Sequence, residues 1–315
     1  MATYLVTGGG GFIGSNLTEA ILRGGDAVRV LDNFATGRRG NLADVNGWRA
    51  ASDADFELLE GDIRDADACR TAMRSVDFVL HTAAIPSVQR SVLDPVGTND
   101  VNINGTLTLL EAAREAGVKR FVFSSSSSVY GESEELPKVE TLPNAPVSPY
   151  GLQKLAGESY TRMYHALYGL PTVALRYFNV FGPRQDPSSE YSAVIPRFMT
   201  AVKAGESPTI YGDGEQTRDF TFVANVIQAN LGACTAGERA LGRAFNIGCG
   251  ERISLNRLLA GINRLAGREV FARHEAPRAG DVRHSLASID AAREAIGYAP
   301  AVGLEEGLGR TLEAY

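Results

Sequence analysis

The chain has 315 residues, 44% of them hydrophobic and 22% charged, with a formal net charge of −6. That length and composition support a full core in one large or two modest domains, so a soluble globular protein is expected. The negative balance argues against a nucleic-acid surface and leaves room for a local basic pocket that holds a small, phosphorylated anion.

The N-terminus enters an apolar strand at residues 4–7 with no basic leader or cleavage site, and no apolar run of about 18 residues occurs, so no membrane partner and a cytoplasmic location are expected. Residues 7–14 then read Thr7-Gly8-Gly9-Gly10-Gly11-Phe12-Ile13-Gly14 and open a predicted helix over 13–23. Glycines permit a tight turn and close approach of the backbone to a pyrophosphate, and the helix N-terminus supplies amide donors and a positive dipole end. Both Gly9-x-Gly11-x-x-Gly14 and Gly8-x-x-Gly11-x-x-Gly14 are satisfied, so spacing alone leaves the register open. A bare glycine turn is the alternative, but strand, loop and helix together favour a dinucleotide.

Asp32, beside Asn33, stands 18 residues beyond Gly14 at the end of the second predicted strand, 28–31. A carboxylate there accepts hydrogen bonds from ribose hydroxyls and repels a 2′-phosphate, which points to NAD rather than NADP. Arg38 and Arg39 are the features that argue the other way, and are read as solvated loop charges.

Further apolar runs at 56–60, 78–81, 121–124 and 173–177 alternate with helical segments, including one over 98–117 that ends on Gly117. This alternation implies an α/β fold, a Rossmann-type doubly wound parallel sheet with helices on both faces. The serine run 124–128 follows a predicted strand and is read as a strand end opening onto a site, since such sheets bind ligands at the carboxyl ends of their strands.

Tyr150 and Lys154 lie four apart on a predicted helix, where one side chain stands above the other. An ammonium so placed is expected to lower the phenol's pKa from about 10 toward the working pH, which suits proton exchange with a sugar hydroxyl. A pair decorating a helix surface is the alternative reading. After about residue 180 the punctuation becomes Gly/Pro/Asp-rich. A dinucleotide-binding domain over 1–180 is therefore expected, with 220–250 returning to it and a smaller substrate-binding subdomain over 181–315. Cys69, Cys234 and Cys249 are far apart and read as buried free thiols; His81, His165, His274 and His284 show no metal-binding spacing.

Taken together, the chain resembles the extended short-chain dehydrogenase/reductase family, and within it the UDP-hexose 4-epimerases. The resemblance rests on Gly8/Gly11/Gly14, Asp62-Ile63, His81-Thr82-Ala83-Ala84, Asn102-x-Asn104-Gly105-Thr106, Ser124 to Tyr130, Tyr150/Lys154, Arg176-Tyr177-Phe178-Asn179-Val180, Arg218-Asp219-Phe220 and Arg278-x-Gly280-Asp281. It implies catalysis by Ser126, Tyr150 and Lys154. It places NAD on Gly8, Gly11, Phe12, Ile13, Gly14, Asp32 and Asn33, the adenine edge on Asp62 and Ile63, and the nicotinamide side on Ala83, Tyr150, Lys154 and Phe178, with a further contact from Asn102.

A UDP-sugar substrate falls to Ser126, Ser127, Asn179, Val194, Tyr211, Arg218, Arg278, Asp281 and Ser285. Two arginines fit a diphosphate and an aspartate fits a ribose diol. Ser285 falls where relatives limited to UDP-glucose and UDP-galactose carry a tyrosine, and a serine leaves space for a 2-acetamido group. The segment 184–196 also resembles the UDP-N-acetylglucosamine 4-epimerase branch. Alternatives within the fold are a UDP-glucuronate 4-epimerase and a nucleotide-sugar dehydratase or decarboxylase, although the dehydratases commonly carry an acid where this chain reads Ser126-Ser127-Ser128. A non-catalytic NAD-binding regulator is the alternative from another class. The family also implies a homodimer through the helices over 99–116 and 150–168. One departure is Ala224-Asn225, where relatives often carry an acid; asparagine there is expected to serve as a helix cap.

Overall fold

The computed structural model describes residues 1–49, 55–187, 193–277 and 282–315. Seven parallel strands form its central sheet, in the spatial order Arg243–Ile247, Thr172–Tyr177, Arg120–Ser126, Phe78–His81, Thr3–Thr7, Ala27–Asp32 and Phe56–Glu60. The order reverses beside Thr3–Thr7, the strand that opens the chain, so the loops leaving its carboxyl end and that of Phe78–His81 diverge and leave a crevice between them. The central strands are buried on both faces, which is why Thr172–Tyr177 carries no exposed position and why the runs read as continuous rather than alternating.

Two apolar clusters cover the two faces of the sheet. One gathers Leu17, Ile21 and Leu22 of the helix Phe12–Arg23 with Val226, Ala229 and Ala233 of the helix Val223–Thr235. The other gathers Leu109, Leu110 and Ala113 with Cys69, Met73 and Tyr164. A third cluster, around Phe198, Met199, Leu258 and Ile262, forms the core of the C-terminal part. Burying each such side chain contributes about 1.5–3 kcal/mol.

The helix expected over 98–117 is interrupted. A short helix Pro95–Asn99 passes into a π-helical turn at Asp100–Gly105 before the α-helix Thr106–Ala116, which ends on left-handed Gly117. The wide turn falls at Asn102, whose amide reaches across to the backbone of Ile85; side-chain ties of this kind are invisible to helical periodicity.

Asn225 is not a helix cap. It lies inside the helix Val223–Thr235, accepts the backbone amides of Ala301 and Val302 at 3.0 Å each, and donates to the Val302 carbonyl at 2.8 Å. An amide does both, which a carboxylate cannot. Nearby, fully buried Asp219 accepts the amides of Cys249, Gly250 and Ala287, tying the turn after Arg243–Ile247 to the segment that follows Ser285. Burial pushes its carboxyl up to about 6 against those hydrogen bonds. Cys69, Cys234 and Cys249 are free thiols, the first two buried and the third half-buried. Among the described residues no helix is long and apolar enough to cross a membrane, and no group of side chains is arranged to hold a metal ion.

Candidate active site

A cleft of about 530 Å³ opens along the carboxyl ends of the strands, running from the glycine loop to Tyr150. The loop that begins it is shaped by Gly8, whose φ of +71° is a left-handed conformation and whose missing side chain lets it lie against the backbone of Ala83. A Cβ on Gly14 would fall 2.2 Å from the Gly8 carbonyl oxygen, so helix and loop meet only without one. Of the glycines that spacing left open, Gly8 takes the positive φ, while Gly9 is also tightly packed, against Val30. Gly11 caps the helix Phe12–Arg23 with no side-chain bond to its first turn, which leaves backbone amides facing the cleft.

Asp32 ends its strand with both oxygens engaged, accepting from the amides of Gly10 and Phe34 at 2.7 Å each. It folds the loop and presents a carboxylate to the cleft wall. Arg38 pairs with Asp186 at 2.6 Å, while Arg39 pairs with Glu60 and stacks 4.2 Å from the Phe34 ring centroid. Both expected loop charges thus have carboxylate partners. Asp62 takes hydrogen bonds from Asn33 and Arg64, and the Arg64 guanidinium foremost holds its carboxyl down to about 2. Asn33, Asp62, Ile63 and Ala83 all line the cleft with the glycine loop.

At the other end, Ser148 caps the helix Pro149–Tyr168 by accepting from Gly151 N, and Tyr150 N donates to the Ser91 hydroxyl at 3.0 Å. These two bonds place Tyr150 in the first turn, with Lys154 one turn on. The strand Arg120–Ser126 runs into the serine run and turns there, Ser126 accepting from Ser128 N at 3.2 Å and from the Ser128 hydroxyl at 3.0 Å. Desolvation pushes the Tyr150 phenol up to about 12, against the opposing pull of the nearby Ser126 hydroxyl. The Lys154 ammonium donates to the Ser124 carbonyl at 2.8 Å and stands 5.8 Å from the Tyr150 ring centroid. Burial lowers it to about 8. The expected acidification of Tyr150 by Lys154 is thus not found in the protein alone, where the ammonium is held on a carbonyl and the phenol loses its water.

Two residues expected on the cofactor stand behind the cleft wall. Asn102 accepts from Ile85 N at 2.8 Å and donates to Ile85 O and Gln153 Oε1, so it holds the loop that lines the cleft. The Phe178 ring is fully buried against Tyr130, its chain continuing from Tyr177, which does face the cleft. His81 is also behind the wall, between the hydroxyls of Thr7 and Thr106 at 2.8 and 2.9 Å, and desolvation lowers it to about 3.

On the sugar side the structure brings Arg218 and Ser285 together. Ser285 N donates to the Thr217 carbonyl at 3.1 Å, and the Arg218 guanidinium donates to the carbonyls of Thr217 and Arg283. Val194 opens the helix Val194–Ala204, Tyr211 closes the strand Thr209–Tyr211, and Asn179 is exposed with φ +22°. Ser127 is half-buried in the turn after Ser126. Arg278 and Asp281 lie outside the described residues. Sequence reasoning missed Ser91, Glu158 and Asp186; of these, Glu158 carried a signal, since it continues the spacing of Tyr150 and Lys154 by another four residues.

A glycine-rich loop at the switch point of a parallel sheet, with Tyr150 and Lys154 lining the far end of the same cleft and Ser126 at the end of the adjoining strand, defines a dinucleotide-dependent enzyme of the short-chain dehydrogenase/reductase type. Residues 4–248 match the model of the NAD dependent epimerase/dehydratase family, and the chain belongs to that family. It is 41% identical over 314 residues to a UDP-glucose 4-epimerase of Mycolicibacterium smegmatis, covering 99% of this chain and 97% of the relative. Among solved structures it is similar to a UDP-N-acetylglucosamine 4-epimerase from Methanobrevibacter ruminantium M1 in complex with UDP-N-acetylmuramic acid, with a TM-score of 0.92, 38% identity and coverage of 99% and 97%. It is also similar to a UDP-glucose 4-epimerase from Thermotoga maritima with UDP-glucose, with a TM-score of 0.91, 38% identity and coverage of 99% and 98%.

Proposed function

We propose that this chain is a UDP-hexose 4-epimerase that works with bound NAD, and that the sugars it accepts include the N-acetylated pair. The observation that carries the reading is Tyr150 and Lys154 lining the end of the cleft that begins at the glycine loop, with the Ser126 hydroxyl near enough to the phenol to act on its pKa. The residues present fit the cofactor: the uncapped first turn after Gly11 suits a pyrophosphate, Asp32 and Asn33 a ribose diol, and Asp62 and Ile63 the adenine edge.

The carbon to be inverted carries no acidic hydrogen, so its hydrogen must leave and return as hydride. When bound, NAD supplies the acceptor and donor of that hydride. Tyr150 removes the proton of the 4-hydroxyl and later returns it, while Ser126 hydrogen-bonds the same oxygen and stabilises its developing charge. Lys154 supplies positive charge beside that exchange. Arg218, with Arg278, anchors the diphosphate about which the 4-keto sugar turns to show its other face. Asn102 acts through Ile85 on the shape of the cleft.

The half-buried Ser285, in the irregular segment beside the strand Thr217–Arg218, supports the N-acetylated substrate, since a small hydroxyl leaves room for a 2-acetamido group. Ser126-Ser127-Ser128 contains no acid to drive the elimination of a dehydratase. A second copy of the chain is the proposed partner. Val92, Val96, Leu152, Leu167 and Tyr168 are more than half exposed on helices that pack together, and pairing would cover them. Free thiols suit a reducing, cytoplasmic setting.

Incubation of the purified protein with UDP-glucose, UDP-N-acetylglucosamine and UDP-glucuronate, followed by chromatography of the products, tests the reading. Epimers at C4 are expected from the first two, Tyr150→Phe lowers their formation by orders of magnitude, and Ser285→Tyr removes the N-acetylated product while sparing UDP-glucose. Retention of activity by Tyr150→Phe would sink the mechanism, and equal loss of both sugars in Ser285→Tyr would remove the specificity assignment.

A further inference from the structure

Behind the reactive end of the cleft, buried polar side chains form one continuous hydrogen-bonded chain. Glu158 lies on the helix Pro149–Tyr168, one turn beyond Lys154 and two beyond Tyr150. Its carboxylate accepts Arg176 Nε at 2.9 Å, Arg176 Nη2 at 2.6 Å and the Ser125 hydroxyl at 3.0 Å. Arg176 Nη1 donates to the Tyr130 hydroxyl at 2.8 Å, and that hydroxyl donates to Asn246 Oδ1 at 2.6 Å. Asn246 in turn donates from Nδ2 to the carbonyls of Lys138 and Ser288, at 2.9 and 3.3 Å, and from its backbone to Glu140. Glu158, Arg176, Tyr130 and Asn246 are all 2% exposed or less.

Each node adjoins a residue of the site. Ser125 precedes Ser126, Tyr130 closes the turn that Ser126 caps, Arg176 lies three residues before Asn179, and Ser288 three after Ser285. A buried ion pair is weak evidence for stability, because desolvation offsets much of its attraction. What the planar, bidentate fork does supply is a fixed distance and angle between the elements it joins. Here the fork joins the helix of Tyr150 and Lys154 to the strand Thr172–Tyr177, and the chain continues from it through Ser125 to the strand end at Ser126 and through Tyr130 and Asn246 to the segment that carries Ser285.

We propose that Glu158, Arg176, Tyr130 and Asn246 are positioning residues for epimerisation, holding the Ser126/Tyr150/Lys154 group and the sugar-side segment in one register. The proposal rests on the 4-epimerase reading. An epimerase must present two faces of one sugar to the same tyrosine, so a small error of register costs the return step more than it costs binding.

Tyr130→Phe opens the chain between Arg176 and Asn246 while leaving the Glu158–Arg176 fork and the backbone bonds of Asn246 in place. Arg176→Lys keeps the charge and loses the fork. Both are compared with the parent, as NAD-loaded enzyme, for thermal unfolding, kcat, KM and the absorbance of reduced nicotinamide during turnover of a UDP-sugar that the parent converts. The expected result for Tyr130→Phe is a kcat lower by about tenfold with KM within about twofold, and a build-up of reduced nicotinamide as 4-keto sugar escapes before hydride returns. Arg176→Lys should move the same way and further; if it fails to fold, Tyr130→Phe decides alone. A lowered melting temperature with parental kcat per bound NAD, or a loss confined to KM, overturns the proposal. A parent that converts no UDP-sugar removes the epimerase reading and this proposal with it, whereas an active parent with unaffected variants removes this proposal alone.

Discussion

The Lys154 ammonium donates to the Ser124 carbonyl at 2.8 Å, and its nitrogen stands 5.8 Å from the centre of the Tyr150 ring. One bond thus ties the helix that carries the tyrosine to the strand that ends in Ser126, and makes the lysine as much a brace as an electrostatic partner. The same burial that shortens the reach between the two groups opposes charge on both, raising the phenol to about 12 and lowering the ammonium to about 8.

A first prediction concerns pH. Lys154 acts as a cation, and its charge is lost as pH rises through about 8. Because Tyr150 must also lose its proton, with its pKa pushed up to about 12, we expect kcat/KM to rise about tenfold per unit up to about pH 8 and to level off above it, where loss of the ammonium cancels the gain in phenolate. Lys154→Met should lower activity throughout and remove that levelling. A kcat/KM that keeps rising through pH 9 in the parent would show that the charge of Lys154 is not what the reaction uses.

A second prediction tests Asn225. Asn225→Asp keeps the acceptor for Ala301 N and Val302 N but faces the Val302 carbonyl with a second oxygen, leaving that carbonyl without its donor. A loss of about 1–3 kcal/mol in unfolding free energy is expected, with NAD content and turnover of the folded enzyme close to the parent's. Urea unfolding of the two proteins checks it, and equal stability would show that the segment at Val302 does not depend on this amide.

Acid stability supplies a third. His81 is neutral between Thr7 and Thr106, with its pKa lowered to about 3. As pH falls below about 6.5 the unfolded chain gains a proton that the native state refuses, so the stability contributed by the neutral ring is present above that pH and lost progressively toward the folded value. Between pH 7 and pH 5 the loss from this group is about 2 kcal/mol. His81→Gln should be less stable than the parent at pH 7 yet lose less on acidification; parallel pH profiles for the two proteins would rule His81 out as the cause.

The fourth concerns retention of NAD. The ion pair of Arg38 and Asp186 joins the loop after Asp32 to the segment after Gly182, and both residues line the cleft. That segment is further held by Asn16, which donates to the Pro183 carbonyl, and by Arg184, which donates to Asn16 and Glu19. The pair is partly exposed, so its removal is worth about 0.2–1 kcal/mol, and Asp186→Asn should release NAD up to about fivefold faster. High salt should move the parent toward the variant. Exchange against labelled NAD measures both, and an unchanged exit rate in the variant would mean that the pair does not close the cleft.

Much of this protein was legible before folding because its chemistry is written in short spacings. The glycine loop needs one turn, Asp32 needs the next strand end, and Tyr150 and Lys154 need one helix; none depends on a distant partner. The alternation of apolar runs likewise implied the parallel sheet, since the central strands are apolar enough to be buried on both faces.

Tertiary structure alone decided what lies between those segments. Gly8 takes the left-handed turn, and it packs against the backbone of Ala83, far along the chain, while Gly9 packs against Val30 without such a turn. Asn102 sits on a π-helical turn because Ile85 and Gln153 engage its amide, and Asn225 proves to be a clamp on residues 301 and 302 rather than a cap. The pKa of Tyr150 moved opposite to the expectation from Lys154, since spacing reveals a neighbour but not the burial of both groups. The contacts that join Ser126, Tyr150 and the segment of Ser285 run through Glu158, Arg176, Tyr130 and Asn246, separated by as many as 116 residues. Local pattern records what each element is, while long-range hydrogen bonds, formed only when the elements pack, set where each stands relative to the others.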